Sequence, residues 1–196
     1  METEFQDLIK GIKSCRDCKG LFGFEPNPIV QGSQTAKILQ ISQAPSKNVQ
    51  KTSKCFTDAS GKKLRREWYQ ISDEDFYNEN NFYITSIGHC YPGKDKNGGD
   101  KKPPTHCADK WLQQEIKLVQ SKLIILIGSY AANYFFPKED FSKLIFEDHQ
   151  IREKRTIILP HPSPLNQKWF KDHPNFQTTR LPQIRKCIQE VLCTQK

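Results

Sequence analysis

Apolar residues along this chain fall into short unbroken runs, separated by segments in which they recur every three or four positions. Four runs rich in β-branched and aromatic residues predict strands, at residues 37–41, 82–87, 123–127 and 156–159. The run Leu123–Ile127 contains no polar residue, which is typical of a central parallel strand buried on both faces. Helical spacing predicts helices over residues 3–13, 60–70, 107–120, 129–135 and 180–193.

The alternation of strands and helices predicts an α/β fold. We expect one domain over residues 1–196, with a central, mainly parallel, four-stranded sheet flanked by helices. A chain of 196 residues is long enough to bury a substantial core. Sheets of this kind place functional sites at the carboxyl ends of their strands. The polar loops after Ile41, Ile87 and Leu159 are therefore expected to meet at one edge of the sheet.

The charge of the chain favours a polyanionic partner. The net charge is +8, and the basic residues are clustered rather than spread evenly. One cluster follows the first predicted strand, and the other lies in a Gly- and Pro-rich loop: Lys47, Lys51, Lys54, Lys62, Lys63, Arg65 and Arg66, then Lys94, Lys96, Lys101 and Lys102. Basic loops of this kind are typical of contact with nucleic-acid phosphates.

Hydropathy predicts no membrane association. A helix that spans a bilayer needs about 20 consecutive apolar residues, and the chain has no apolar run of that length. Its N-terminal segment, from Met1 to Ser14, includes acidic side chains and lacks the apolar stretch of a signal peptide. We therefore expect a cytoplasmic protein, and a monomer.

Four of the seven cysteines have spacings that suit a metal centre. Cys15 and Cys18 form a Cys-x-x-Cys pair, while Cys90 and Cys107 are too far apart in the sequence to share a turn and must be joined by a loop. Four thiolates are the ligands that a [4Fe–4S] cluster or a structural zinc ion needs, and the spacing alone does not separate the two. Four unrelated buried thiols are the alternative. An odd number of cysteines argues against a disulfide framework.

Four short motifs stand out, of which three lie within or directly after predicted strands and one runs into the predicted helix over residues 60–70. They are Ser42-Gln43-Ala44-Pro45-Ser46, Phe56-Thr-Asp-Ala-Ser-Gly61-Lys-Lys-Leu64, Tyr83-Ile-Thr85-Ser86 and His161-Pro162-Ser163. Together with the four cysteines, they make the chain resemble the uracil-DNA glycosylase superfamily, most closely its iron–sulfur branch, family 4. The corresponding family patterns are Gly-Glu-Ala-Pro-Gly, an aromatic residue followed by Gly-x-x-Gly-x-x-Leu, Tyr-Ile-Thr-Asn, and His-Pro-Ser. The resemblance covers nearly the whole chain.

This resemblance implies a three-layer fold and an enzyme that removes a deaminated base, with uracil as the first candidate, from DNA in base-excision repair. It implies a [4Fe–4S] cluster held by Cys15, Cys18, Cys90 and Cys107. His161 and Gln43 would be catalytic. The base would be bound by Ala44, Pro45, Ser46, Phe56, Thr85, Ser86 and Asn166. The DNA backbone would be contacted by Pro162, Ser163 and Lys168.

The chemistry of these residues suits such a reaction only in part. Cleavage of an N-glycosidic bond builds positive charge on the sugar, and the base leaves as an anion. Even a neutral His161 can donate a hydrogen bond to that anion through its N–H. The acidic residue of the family's first motif is replaced by Gln43, which cannot act as a general base. Ser86 replaces the asparagine that reads uracil, and it lacks the paired donor and acceptor of an amide.

Three alternatives to this function remain, two from these departures and one from the cysteine spacing. The chain could bind damaged or single-stranded DNA without turnover, keeping the fold, the cluster and the basic surface. It could instead remove another deaminated base, such as hypoxanthine or xanthine. A zinc-stabilised protein unrelated to DNA is the third alternative.

Overall fold

A five-stranded sheet lies at the centre of the computed structural model, which describes residues 2–194 except for the side chain of residue 165. Its strands are β1 (Ile38–Ser42), β2 (Phe82–Ser86), β3 (Leu123–Ile127), β4 (Asp148–Ile151) and β5 (Lys154–Leu159). Their order across the sheet is β2-β1-β3-β5-β4. All neighbouring pairs are parallel except β4 with β5. The predicted mainly parallel α/β fold is confirmed.

The prediction of four strands is corrected by β4, which forms an antiparallel hairpin with β5. This edge strand is short and polar, and its residues are alternately exposed and half-buried, so it has no apolar run that would mark it. Its turn is formed by Arg152 and Glu153, both with positive φ, 48° and 65°. Two-residue hairpin turns of that geometry usually carry Asn-Gly or Asp-Gly. The sequence therefore lacks the signal from which a hairpin is normally predicted.

Helices occur at all five predicted positions, two of them divided into an α-helical and a π-helical part, and the described chain has five further short helices that the apolar spacing did not predict. The α-helices are α1 (Glu2–Ser14), α2 (Lys19–Phe22), α3 (Lys47–Thr52), α4 (Ala59–Lys63), α5 (Asp73–Tyr77), α6 (Gln113–Leu118), α7 (Ser129–Phe135), α8 (Phe141–Phe146), α9 (Gln167–Asp172) and α10 (Leu181–Cys193). Three π-helical segments, Leu64–Tyr69, Ala108–Leu112 and Phe176–Arg180, continue α4 and precede α6 and α10. A 3₁₀ turn occupies Pro164–Asn166.

Helices cover both faces of the sheet. Successive side chains of β2 point to opposite faces. The ring of Tyr83 contacts Phe5 of α1, with centroids 6.0 Å apart, whereas the ring of Phe82 stacks on Tyr69 at 6.1 Å. Helix α1 therefore packs on one face, and the segment Leu64–Tyr69 on the other. Since β3 lies between these layers, all five of its residues are buried. No helix in the described part of the chain is long and apolar enough to cross a membrane.

Candidate active site

A cavity of about 530 Å³ opens where β1, β2 and β5 end. Its volume lies within the range of about 300–1,000 Å³ that is typical of sites for small molecules. Most of the residues predicted from the sequence line it: Gln43, Ala44, Pro45, Ser46, Phe56, Ser86, His161, Ser163 and Asn166. The structure thus brings residues from four separate segments of the chain into one site.

The loop after β1 is held at both ends by hydrogen bonds. The Ile87 amide donates to the Ser42 carbonyl at 2.9 Å, which ties the loop to the end of β2. At the other end, the hydroxyl of Ser46 caps α3 and accepts from the Val49 amide at 3.3 Å. The loop that carries Gln43 is therefore preorganised before any ligand binds.

His161 follows β5, and its ring lines the cavity. The Ser163 amide donates to Nδ1 at 3.2 Å, so Nδ1 is an acceptor and the neutral ring carries its proton on Nε2. His161 is exposed to the cavity, but protein atoms around the ring remove part of its hydration. This desolvation lowers the pKa of His161 below its usual value, and the carboxylate of Asp58 opposes the shift. At neutral pH the ring is therefore an uncharged hydrogen-bond donor.

Asp58 also lines the cavity, and sequence reasoning missed it. It is the N-cap of α4, where Oδ1 accepts from the Gly61 amide at 2.8 Å. Asp58 and His161 line the same cavity. One signal could have revealed Asp58. Asp58 occupies the position of the first glycine in the family pattern that matches Phe56–Leu64. In the same chain, Gln43 replaces the acidic residue of the family's first motif. The site therefore has a carboxylate, at a different position.

Phe56 forms one wall of the cavity in an unusual backbone conformation. Its φ of +53° lies in the left-handed region, which bulky residues rarely adopt. Gly61 packs directly against it, since a Cβ at position 61 would lie 1.9 Å from the Phe56 carbonyl oxygen. The ring itself meets Phe76 edge to face, with centroids 6.1 Å apart.

Four other predicted residues do not lie in the cavity wall. Thr85 is buried, and its hydroxyl donates to Glu115 Oε2 at 3.2 Å on the far side of the sheet from Ser86. Pro162 is buried in the loop, and Lys168 pairs on the surface with Asp172 at 2.6 Å. Arg65, predicted to belong to a basic surface, has a side chain that is only 6% exposed.

The four predicted metal ligands line a second pocket, where they are joined by His89 and His106. Burial, followed by the proximity of the other thiols, raises the pKa of Cys90 to about 12 and also raises that of Cys18. The His89 amide points at Cys107 Sγ, 3.4 Å away. Among residues 2–194, no three His, Cys, Asp or Glu side chains are arranged to hold a single metal ion.

A buried polar network connects this pocket to β2. Its centre is Glu115, which is fully buried and accepts from the hydroxyl of Tyr83 at 2.8 Å. His89 Nε2 lies 3.0 Å from Glu115 Oε2, while Nδ1 of the same ring lies 3.4 Å from Cys107 Sγ. Burial opposes charge on His89, but the carboxylate of Glu115 prevails and raises its pKa to about 10. The His89 ring and the Glu115 carboxylate therefore lie within ion-pair distance in the buried network.

Comparison with known proteins gives matches over most of the chain. The model of the family described as the Uracil DNA glycosylase superfamily matches residues 29–185. A type-4 uracil-DNA glycosylase of Sulfurisphaera tokodaii is 27% identical over 171 residues, which are 80% of this chain and 75% of that protein. One from Saccharolobus solfataricus is 28% identical over 137 residues, 67% of this chain and 59% of that protein.

A solved structure gives a further match. It is a solution NMR structure from Methanosarcina acetivorans, of a protein proposed to be a uracil DNA glycosylase. The TM-score is 0.49 at 14% sequence identity, and the match covers 83% of this chain and 94% of that one.

The close approach of Gly61 to Phe56 generates a stability prediction. We expect Gly61→Ala to lower the free energy of unfolding by about 1–3 kcal/mol, because the added methyl group must displace the Phe56 backbone. Urea denaturation followed by circular dichroism measures this loss. Gly20→Ala is the matched control, since a Cβ there meets nothing within 4 Å. Equal midpoints for the two variants would contradict the packing described here.

Proposed function

This chain belongs to the uracil DNA glycosylase superfamily, and we propose that it hydrolyses the N-glycosidic bond of a deaminated base, uracil in the first instance, in base-excision repair of DNA. The observation that carries this proposal is His161. Its Nδ1 accepts from the Ser163 amide, which leaves Nε2–H as a donor in a cavity that Phe56 also lines.

An extruded nucleotide gives these two residues complementary roles. Enzymes that act on a base flip it out of the stack and hold it against an aromatic surface, which Phe56 supplies. The base leaves as an anion as the bond to the sugar breaks. His161 Nε2–H then stabilises the charge that develops on a carbonyl oxygen of the base, and Ser163 keeps the imidazole in the tautomer that can do so.

Asp58 supplies the carboxylate that Gln43 cannot. A carboxylate in the same cavity can stabilise positive charge on the sugar and accept a proton from the attacking water. Gln43 then positions the water or the base through its amide. Under this proposal Asp58 supplies the charge, and Gln43 supplies the positioning, that the acidic residue of the family's first motif would provide alone.

Uracil is the proposed base, and Ser86 supports a second candidate. Ser86 lines the cavity from the end of β2. Because its side chain is shorter than asparagine and offers a single hydroxyl, it discriminates less strictly among base edges and leaves more room. Hypoxanthine and xanthine, which are larger deaminated bases, therefore belong in the same substrate panel.

We propose a [4Fe–4S] cluster for the second pocket, with a zinc ion as the alternative. Four cysteines line this pocket, and the His89 amide is directed at Cys107 Sγ. Thiolates are the ligands of such a cluster. When bound, the cluster would cross-link the segment after α1 to both ends of the loop that follows β2.

The proposed DNA partner is supported by exposed lysines near the cavity. Lys47, Lys51, Lys54 and Lys62 are exposed on the segments that carry Ser46, Phe56 and Asp58. The loop with Lys94, Lys96, Lys101 and Lys102 contributes Asp100 to the cavity wall, so its lysines also lie near the opening. These side chains are suited to bind the phosphates on either side of an extruded nucleotide.

The first test is cleavage of oligonucleotides that contain uracil, hypoxanthine or xanthine, read as alkali-labile abasic sites. We expect the parent protein to cleave uracil and His161→Ala to be slower by about 10²–10³-fold, the usual cost of losing one charge-stabilising donor. His149→Ala, whose ring lies on β4 outside the cavity wall, should retain the parent rate. If a cluster-replete parent cleaves none of the three substrates, the proposed activity is wrong.

Asp58→Asn tests the carboxylate. Asparagine caps a helix about as well as aspartate, so the variant should remain folded while the rate falls by about 10²–10⁴-fold. Asp100→Asn removes the other carboxylate of the cavity wall, which is paired with Lys94, and should have a much smaller effect. Introducing Gln43→Glu into Asp58→Asn should restore part of the activity. Full activity of Asp58→Asn would exclude the proposed role.

Removing a cluster ligand should affect metal content and stability together. We expect Cys15→Ser and Cys107→Ser to reduce iron per chain, soluble yield and melting temperature, because metal binding contributes folding free energy. Cys193→Ser, at the exposed end of α10, is the control and should leave all three unchanged. Iron and zinc are measured per chain by elemental analysis. If the parent protein contains one zinc and no iron per chain, the pocket is a zinc site and the proposed cluster is wrong.

A further inference from the structure

The backbone of Phe56 is held in its left-handed conformation by two side chains that do not line the cavity. The Phe56 carbonyl oxygen accepts from Arg65 Nη1 at 2.5 Å and from the hydroxyl of Tyr77 at 3.4 Å. The same hydroxyl donates to the Cys55 carbonyl at 3.0 Å. Two successive peptide groups are thus bound from behind the cavity wall. A rarely populated conformation persists only where its surroundings hold it in this way.

The Arg65 side chain is itself held by an ion pair and by two aromatic rings. Its side chain is 6% exposed, and Nε donates to Asp73 Oδ1 at 2.9 Å. The guanidinium lies over the rings of Phe76 and Tyr77, with its central carbon 5.3 and 5.1 Å from their centroids. A buried cation costs free energy unless it is paired and hydrogen-bonded. Here its partners include the carbonyl of the residue whose ring faces the cavity.

We propose that Arg65, together with Tyr77, is a positioning residue that holds the Phe56 ring where it can stack on the extruded base. This inference rests on the proposed function. When the clamp formed by Arg65 and Tyr77 is removed, residue 56 can relax toward ordinary backbone angles, and its ring leaves the cavity wall. The loss falls mainly on capture of the base, while His161, whose hydrogen bond with the Ser163 amide lies outside this segment, retains its chemistry.

The test compares Arg65→Gln with Arg155→Gln. Arg155 also pairs with a carboxylate, Asp148 at 2.6 Å, but it lies at the start of β5, outside the basic loops, and is therefore the control. In single-turnover cleavage we expect Arg65→Gln to raise the half-saturating enzyme concentration roughly tenfold, in the range for loss of one base stack, with a smaller change in the maximal rate. Arg65→Lys keeps the charge and should recover part of the loss. A purely structural role would instead lower the active fraction without changing half-saturation.

A double-mutant cycle with Phe56→Ala decides whether Arg65 acts through Phe56. If it does, Arg65→Gln has little further effect once the ring is absent. Additive effects of the two substitutions would overturn the proposal. Tyr77→Phe removes only a hydroxyl and provides a milder variant if Arg65→Gln does not fold. It should raise the half-saturating concentration in the same direction, by a smaller factor.

A second readout does not depend on activity. Amide hydrogen exchange of peptides that cover Cys55 and Phe56 should become faster in Arg65→Gln and Tyr77→Phe but not in Arg155→Gln. If the parent protein cleaves no deaminated base, the proposed function fails, and this exchange still tests the clamp. Unchanged exchange in both clamp variants would refute it, whether or not the parent is active.

Discussion

Parallel strand pairing decides which loops share the cavity. Strands β1 and β2 run in register from Ile38 beside Phe82 to Ser42 beside Ser86, so their loops begin at the same edge of the sheet. Strand β5 lies beyond β3, and the loop that carries His161 must reach the cavity past the end of β3. Gly128 stands there with a φ of +86°, and its amide donates to the Leu159 carbonyl at 2.8 Å. The turn ties the ends of β3 and β5 together immediately before His161.

The end of β2 links the two pockets because neighbouring side chains of a strand point to opposite faces. Ser86 faces the cavity, whereas Thr85 faces Glu115 and His89, whose ring also contacts Cys107. The cysteine pocket and the cavity are thus supported by consecutive residues of one strand.

The cavity has a carboxylate at a position different from that of the family's first motif. Gln43 occupies the position of the family's acid in the loop after β1, and Asp58 brings a carboxylate from the N-terminus of α4. Asp58 has two tasks there, since one oxygen caps the helix and its charge acts on His161. The charge of the site is therefore a property of the cavity as a whole, and no single motif determines it.

Local sequence pattern is sufficient to predict the layout of this protein, but contacts between distant segments set several features of its site. The apolar runs predicted β1, β2, β3 and β5, because strands buried between two layers of helices must be apolar. The motifs identified most of the cavity wall, and the cysteine spacing identified the second pocket.

By contrast, the edge strand β4 is half exposed and its turn uses Arg152 and Glu153, so it has neither an apolar run nor a turn motif. Arg65 is predicted to be a surface cation, and only the folded chain surrounds it with Asp73 and the Phe56 carbonyl. The roles of Asp58 and Thr85 depend on the direction in which a helix cap and a strand face, which a single sequence does not record. Burial and electrostatics act through space and not along the chain, so these outcomes required the tertiary structure.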